Sequence, residues 1–162
     1  MSFAPTHILV PVAIDPDEDF HIAEHAVHAA CDIAEKFHAK ITLLHLSPTV
    51  VLGTGPGVDM SGKIYESFME ILEARLARGK MKLKELQAEA ARRGITIEGR
   101  VVESLENTAS VIVHTANELH ADLLVIGSHG RHGLSRLIFG SVAEKVSQKS
   151  SMPILLLHPK EV

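Results

Sequence analysis

A chain of 162 residues, 46% of them hydrophobic, is long enough to close one domain, residues 1–162, around a sizeable core. Its apolar runs (Ile8–Ile14, Leu123–Ile126, Ile154–Leu157) are too short to cross a bilayer, and Met1–Thr6 lacks the basic stretch and long apolar region of a secretory signal. A net charge of −4 with 4% aromatics argues against a general nucleic-acid binder, and the single cysteine, Cys31, cannot form an internal disulfide, so a reducing, cytoplasmic setting is expected.

In chain order, His7–Ile14 is a continuous apolar run that reads as a strand buried on both faces. Ile22, Ala26, Ala29, Ala30, Ile33 and Phe37 recur at helical steps and predict an amphipathic helix. Lys40–Leu46 is a second apolar strand. Ser47–Gly62, with Pro48, Gly53, Gly55, Pro56 and Gly57, reads as a long flexible loop. From Lys63 to Arg93 the stripe Ile64, Phe68, Leu72, Leu76, Leu83, Leu86 and Ala90 predicts one long helix, weakened at Gly79 and stopped at Gly94. The basic residues from Arg75 to Arg93, interleaved with Glu73, Glu85 and Glu89, read as a solvated helix face, with a basic docking surface as the other option.

Ile95–Val102 follows as a third strand. Asn107 caps a helix whose inner positions are Ala109, Ile112, Val113, Ala116 and Leu119. Ala121–Gly127 is the fourth strand, Ser141–Lys149 a short helix, and Pro153–His158 the fifth strand. This alternation implies an α/β fold with a parallel sheet, right-handed crossovers and helices on both faces. In such doubly wound sheets ligands bind beyond the carboxyl ends of the strands, so the loops after strands one, two and four are where function should lie.

The segment from Gly127 to Ser141 carries the chemistry. Glycines there let phosphate oxygens approach main-chain amides that a Cβ would block, and the helix that follows offers free N–H groups and a favourable dipole. Ser141 can give a hydroxyl to a phosphate or serve as an ordinary helix cap. No G-x-x-x-x-G-K-[ST] is present, and the acidic Asp15-Pro16-Asp17-Glu18-Asp19 turn after the first strand excludes a dinucleotide fingerprint. Gly53-Thr54-Gly55-Pro56-Gly57 has no regular helix pattern directly behind it and reads as loop.

Gly127, Gly130, Gly140 and Ser141 match the G-x2-G-x9-G-[ST] motif of the universal stress protein family, which the chain resembles along most of its length. The flanks Ile8-Leu9-Val10-Pro11-Val12, Leu43-Leu44-His45-Leu46, Ala121–Gly130, Gly140–Val146 and Pro153–Leu157 carry the same likeness. The resemblance implies a three-layer, five-stranded parallel sheet of the adenine nucleotide alpha hydrolase kind, in the order 3-2-1-4-5. It also implies a homodimer paired through the last strand, Pro153–His158, and bound ATP or AMP, with Mg2+ as a further option.

Carried over by position, the likeness puts phosphates against Gly127, His129, Gly130, Arg131, Gly140, Ser141 and Val142. Adenine and ribose fall near Pro11, Val12, Ala13 and Ile41, with Ile126 and Ser128 beside the sugar or phosphates. Many family members have an acidic residue where this chain has Ala13; here Asp15 lies two positions on. A stress-response regulatory protein that changes shape or partner with nucleotide is therefore expected. A slow Mg2+-dependent ATP hydrolase or phosphotransferase, using Ser141 and His129, is the alternative. No Ser/His/Asp set or paired-carboxylate site follows from spacing. His21, His25 and His28 share one helix face and read as solvated or half-buried rather than metal-binding; His129 and His132 sit in the phosphate segment; Cys31 reads as a small core residue.

Overall fold

The structure, a computed structural model, describes residues 3–12, 20–48, 62–127 and 140–158. Nine elements alternate: β1 (His7–Val12), α1 (Phe20–Phe37), β2 (Lys40–Pro48), α2 (Lys63–Arg92), β3 (Ile97–Ser104), α3 (Thr108–Glu118), β4 (Leu123–Gly127), α4 (Ser141–Lys149) and β5 (Ile154–Leu157). The five strands form one parallel sheet in the order β3-β2-β1-β4-β5, as the family resemblance implied. The order reverses between β1 and β4.

Successive residues of a strand point to opposite faces, and here both faces are covered. Ile8, Val10, Ile41, Leu43 and Val125 pack toward α1 and α2, with Leu86 and Ala90 of α2 among their neighbours. Leu9, Leu44, Leu124 and Ile126 pack the other way, against Ile112 and Ala116 of α3 and Ala143 and Val146 of α4. That two-sided burial explains why the strands read as apolar runs instead of alternating patterns.

On α1 the buried stripe is turned by one position from the expected one. Ala23, Ala26, Val27, Ala30, Cys31 and Ala34 are buried, while Ile22, Ala29, Ile33 and Phe37 are only half-buried. Small side chains at the centre of the contact bring the helix close to the sheet, and the larger ones flank it. Cys31 is 3% exposed, and burial pushes its thiol up. It is a core residue.

The long helix α2 runs unbroken through Gly79 and ends as expected: Gly94 adopts φ +73, and Ile95 N donates to Ala90 O at 3.0 Å. Arg93 donates to Asp32 and Glu35, tying that end to α1. Asn107 caps α3 by accepting from Ala109 N at 3.0 Å. Within α3, Val111 and Thr115 are buried beside Ala109, Ile112 and Ala116, whereas Val113 and Leu119 are half-buried.

The amino ends of the central strands are pinned by polar contacts. Asp122 Oδ2 accepts from Thr6 Oγ1 at 2.7 Å and from Thr6 N at 2.9 Å, and its Oδ1 accepts from His7 N at 3.0 Å. His7 itself is buried; its Nδ1 donates to Leu119 O at 3.0 Å, and Thr42 Oγ1 donates to its Nε2 at 2.8 Å. The Leu119 carbonyl can only accept, so Nδ1 carries a proton; burial lowers the pKa of the ring, and in the neutral form Nε2 accepts from Thr42.

Candidate functional site

The carboxyl ends of the strands come together at Pro11 and Val12 of β1, His45 and Leu46 of β2, and Ile126 and Gly127 of β4. At this end the β1–β4 ladder stops. The His7 carbonyl accepts from Asp122 N at 3.0 Å, so odd-numbered residues of β1 turn their main-chain groups toward β4. Pro11 is the next odd position after Leu9, and it has no N–H to give. The described β1–β4 pairs accordingly stop at Leu9 and Leu124, whereas β1–β2 pairing continues to Val12 and His45. On its other edge β4 pairs with β5 from Leu124 to Gly127.

This is where the strand order reverses, the position at which doubly wound sheets carry their ligand crevice, and a proline in a central strand ends the β1–β4 ladder there. Replacing Pro11 with valine restores a donor on that side. The new hydrogen bond contributes about 1 kcal/mol, largely offset by the freedom that valine returns to the unfolded chain, so stability should change little while the β1–β4 ladder lengthens. Hydrogen exchange reads this directly: the amide at position 11 should be strongly protected.

Gly127 ends β4 for a reason the sequence motif did not disclose. A Cβ built there would overlap Cγ2 of Ile22 and stand 3.0 Å from the Ile22 carbonyl oxygen. The first turns of α1 therefore lie directly against the end of β4, and only a glycine admits them.

The helix that follows β4 in the chain, α4, packs Ala143 and Val146 into the same core cluster as Ile126. Gly140 occupies the cap position with φ −56 and ψ 147, and its carbonyl accepts from Glu144 N at 2.9 Å. Ser141 is thus the first helical residue and exposed, not the cap, which removes its ordinary structural reading. By helix geometry the amides of Ser141, Val142 and Ala143 have no acceptor within the helix. Val142 is 37% exposed at the same end.

One expected contact is corrected. Ile41 is fully buried and stands opposite Ile8, near the amino end of the sheet, so it belongs to the core and cannot line a crevice at the other end. Counting along the β1–β2 register places His45 opposite Val12, with Leu46 one step further out. These two were overlooked as site residues, although the register of two apolar runs held the signal. Ala13, Ser128, His129, Gly130, Arg131 and His132 lie outside the described residues, as do Asp15 and most of the Ser47–Gly62 loop.

His45 is 6% exposed, and its Nδ1 donates to Val12 O at 3.4 Å. Its Nε2 is buried and has no hydrogen-bond partner among the described residues. Burial lowers its pKa, the Val12 carbonyl opposes that shift, and Lys80 adds to it, so the ring is neutral. Among the described residues, no group of three or more His, Cys, Asp or Glu side chains converges. His21 is exposed, and His28 Nε2 lies 3.5 Å from Glu89.

A five-stranded parallel sheet in the order β3-β2-β1-β4-β5, with helices on both faces, defines the doubly wound α/β class, whose ligands bind beyond the strand ends at the switch point. Within that class the chain belongs to the universal stress protein family, whose family model matches residues 6–158. It is 30% identical over 150 residues to universal stress protein YxiE of Bacillus subtilis, an alignment covering 91% of this chain and 96% of that one. Universal stress protein UspA from Lactobacillus plantarum has the same fold, with a TM-score of 0.72 at 22% identity, covering 96% of this chain and 99% of that chain. A universal stress protein family member from Arabidopsis thaliana, solved with AMP bound, superposes with a TM-score of 0.65 at 19% identity, covering 96% and 93% of the two chains.

Proposed function

We propose that the chain binds an adenine nucleotide, ATP or AMP, in the crevice between β1 and β4 and acts as a cytoplasmic regulatory protein of the stress response. The observation that carries the reading is the end of the β1–β4 ladder at Pro11, at the switch point of the sheet. Family membership and the AMP held by the Arabidopsis relative support the choice of ligand. The nucleoside lies against Pro11, Val12 and Leu46, where apolar side chains and main-chain groups meet. Phosphates lie at Gly140, Ser141 and Val142, where amides and the helix dipole favour an anion. Gly127, Ser128, His129, Gly130 and Arg131 complete the cradle, and ATP carries Mg2+ as its counter-ion. Ala13, in place of an acidic side chain, leaves recognition of the nucleoside to main-chain groups.

Calorimetric titration with ATP, AMP and GTP tests this. Binding of the adenine nucleotides in the micromolar range is expected, and no heat at millimolar nucleotide would reject the reading. Gly140→Asp gives a sharper test. The backbone at Gly140 is one any residue can adopt, and aspartate is a preferred helix cap. Its carboxylate would nonetheless stand where phosphate binds. Affinity should fall at least about tenfold, equivalent to roughly 1.4 kcal/mol, with the melting temperature unchanged or raised. Pro11→Val should weaken binding too, by lengthening the β1–β4 ladder.

We infer further that two copies pair through β5. All four of its residues, Ile154 to Leu157, are half-buried at the sheet edge, and edge pairing between copies would cover them. Light scattering should return a dimer mass or a multiple of it.

A further inference from the structure

Among the described residues, the two halves of α2 differ in burial. Its buried positions, Gly79, Leu86 and Ala90, all lie in the second half, and none of the described side chains before Gly79 is buried. On the solvent side, Glu66, Glu70, Glu73, Ala77, Lys80 and Lys84 follow one another at steps of four, three, four, three and four residues. That heptad spacing places all six on a single face of the helix, and all six are exposed. Charge along this face is segregated: three acids, a small neutral residue, then two bases. No ion pair among the described residues engages any of the five charged side chains.

Two local explanations fail. The helix dipole favours acids near the start and bases near the end, but its influence is confined to the first and last turns. Of the five, only Glu66 lies in the first turn, and none lies in the last, where Arg92 stands. Nor do neighbours on the face support each other, since Glu66–Glu70, Glu70–Glu73 and Lys80–Lys84 are like-charge pairs at three- and four-residue spacing, which weaken an isolated helix. The pattern is unfavourable within one helix and complementary to its own reversal. Set antiparallel against a copy of itself, the face brings Glu66 opposite Lys84, Glu70 opposite Lys80 and Glu73 opposite Ala77, with a two-fold axis near residue 75. Ala77 beside that axis allows the helices to approach closely, and Met81, 63% exposed, contributes apolar surface next to Lys80.

We propose that this face of α2 is an interface for a second copy of the chain, paired antiparallel by self-complementary charge. It is independent of nucleotide and of β5. The pairing is isologous, each ion pair occurring twice, as closed two-fold symmetry requires. Because its attraction is between exposed charges, it weakens steeply with salt, whereas an apolar strand-edge contact at β5 does not. If both contacts form, the low-salt species has twice the mass of the β5 assembly.

Sedimentation velocity at about 100 µM protein, in 50 mM and 1 M NaCl, tests the proposal. The mass should halve in high salt. A Glu66→Lys/Glu70→Lys/Glu73→Lys variant and a Lys80→Glu/Lys84→Glu variant should each show the halved mass at low salt as well. Mixing the two variants, one stripe wholly basic and the other acidic through its charged positions, should restore the doubled mass. Circular dichroism checks that each variant keeps its helix. A wild-type mass that is the same at both salt concentrations, or a mixture that fails to associate, would overturn the α2 interface and leave nucleotide binding untouched.

Discussion

Gly127→Ala lowers the melting temperature, and it does so less when Ile22 has first been shortened to alanine. The added Cβ meets both the side chain of Ile22 and its main-chain carbonyl. Side chains can rotate away, but a carbonyl in a helix moves only with the helix, so α1 must shift from the end of β4. Overpacking of this kind costs roughly 1–3 kcal/mol, and each kcal/mol lowers the midpoint of a domain this size by roughly 2–4 °C. In the double variant part of the overlap is gone, so the two losses should sum to more than the combined loss. Thermal melts of the four proteins measure the coupling. An unchanged midpoint for Gly127→Ala would mean that α1 is not held where the structure puts it.

Acid should destabilise the protein in two stages. His7 and His45 are buried, and burial is the largest cause lowering both pKa values from the ordinary 6.5. For His7 a second lowering comes from Lys40, partly opposed by Leu119 O and by Asp122. The unfolded chain therefore takes up protons on these rings at a pH where the folded chain does not. Stability is fully present above about pH 6.5 and declines as pH falls toward the folded values. Each histidine adds up to about 1.4 kcal/mol per pH unit to the slope.

Asp122 adds the second stage. Burial alone would raise its carboxyl, but hydrogen bonds from His7 N, Thr6 Oγ1 and Thr6 N together hold it below the usual value. Its contribution is present above pH 4 and is lost below. Urea midpoints at pH 8, 6.5, 5.5 and 4.5 should fall monotonically, and His7→Gln should flatten the first decline even though it starts from a lower stability. A flat profile between pH 7 and 5 would contradict the buried neutral state of both rings.

Much of the fold was legible before any coordinates. The limits of α4 match the expected Ser141–Lys149, and those of β1, β2 and α2 agree within two residues wherever they are described. The reason is local: apolar runs, three- and four-residue periodicity, Asn107 as a cap and Gly94 as a stop all act over a few residues of chain. Where larger side chains drew the eye, the reading slipped. On α1, Ile22, Ile33 and Phe37 looked like the centre of the buried face, but alanines occupy it, because closeness of helix to sheet is a property of the pair and not of the helix.

For the site, the chain by itself determined the residue types: a proline in the first strand, glycines at fixed spacing, and a serine at a helix start. Tertiary structure decided where they meet and what they do. It removed Ile41 to the core and brought His45 and Leu46 to the strand ends. It made Pro11 the break between β1 and β4 and gave Gly127 a packing role against Ile22. Periodicity and turn chemistry report on neighbours in sequence, but register between strands and the approach of a helix depend on partners many residues away.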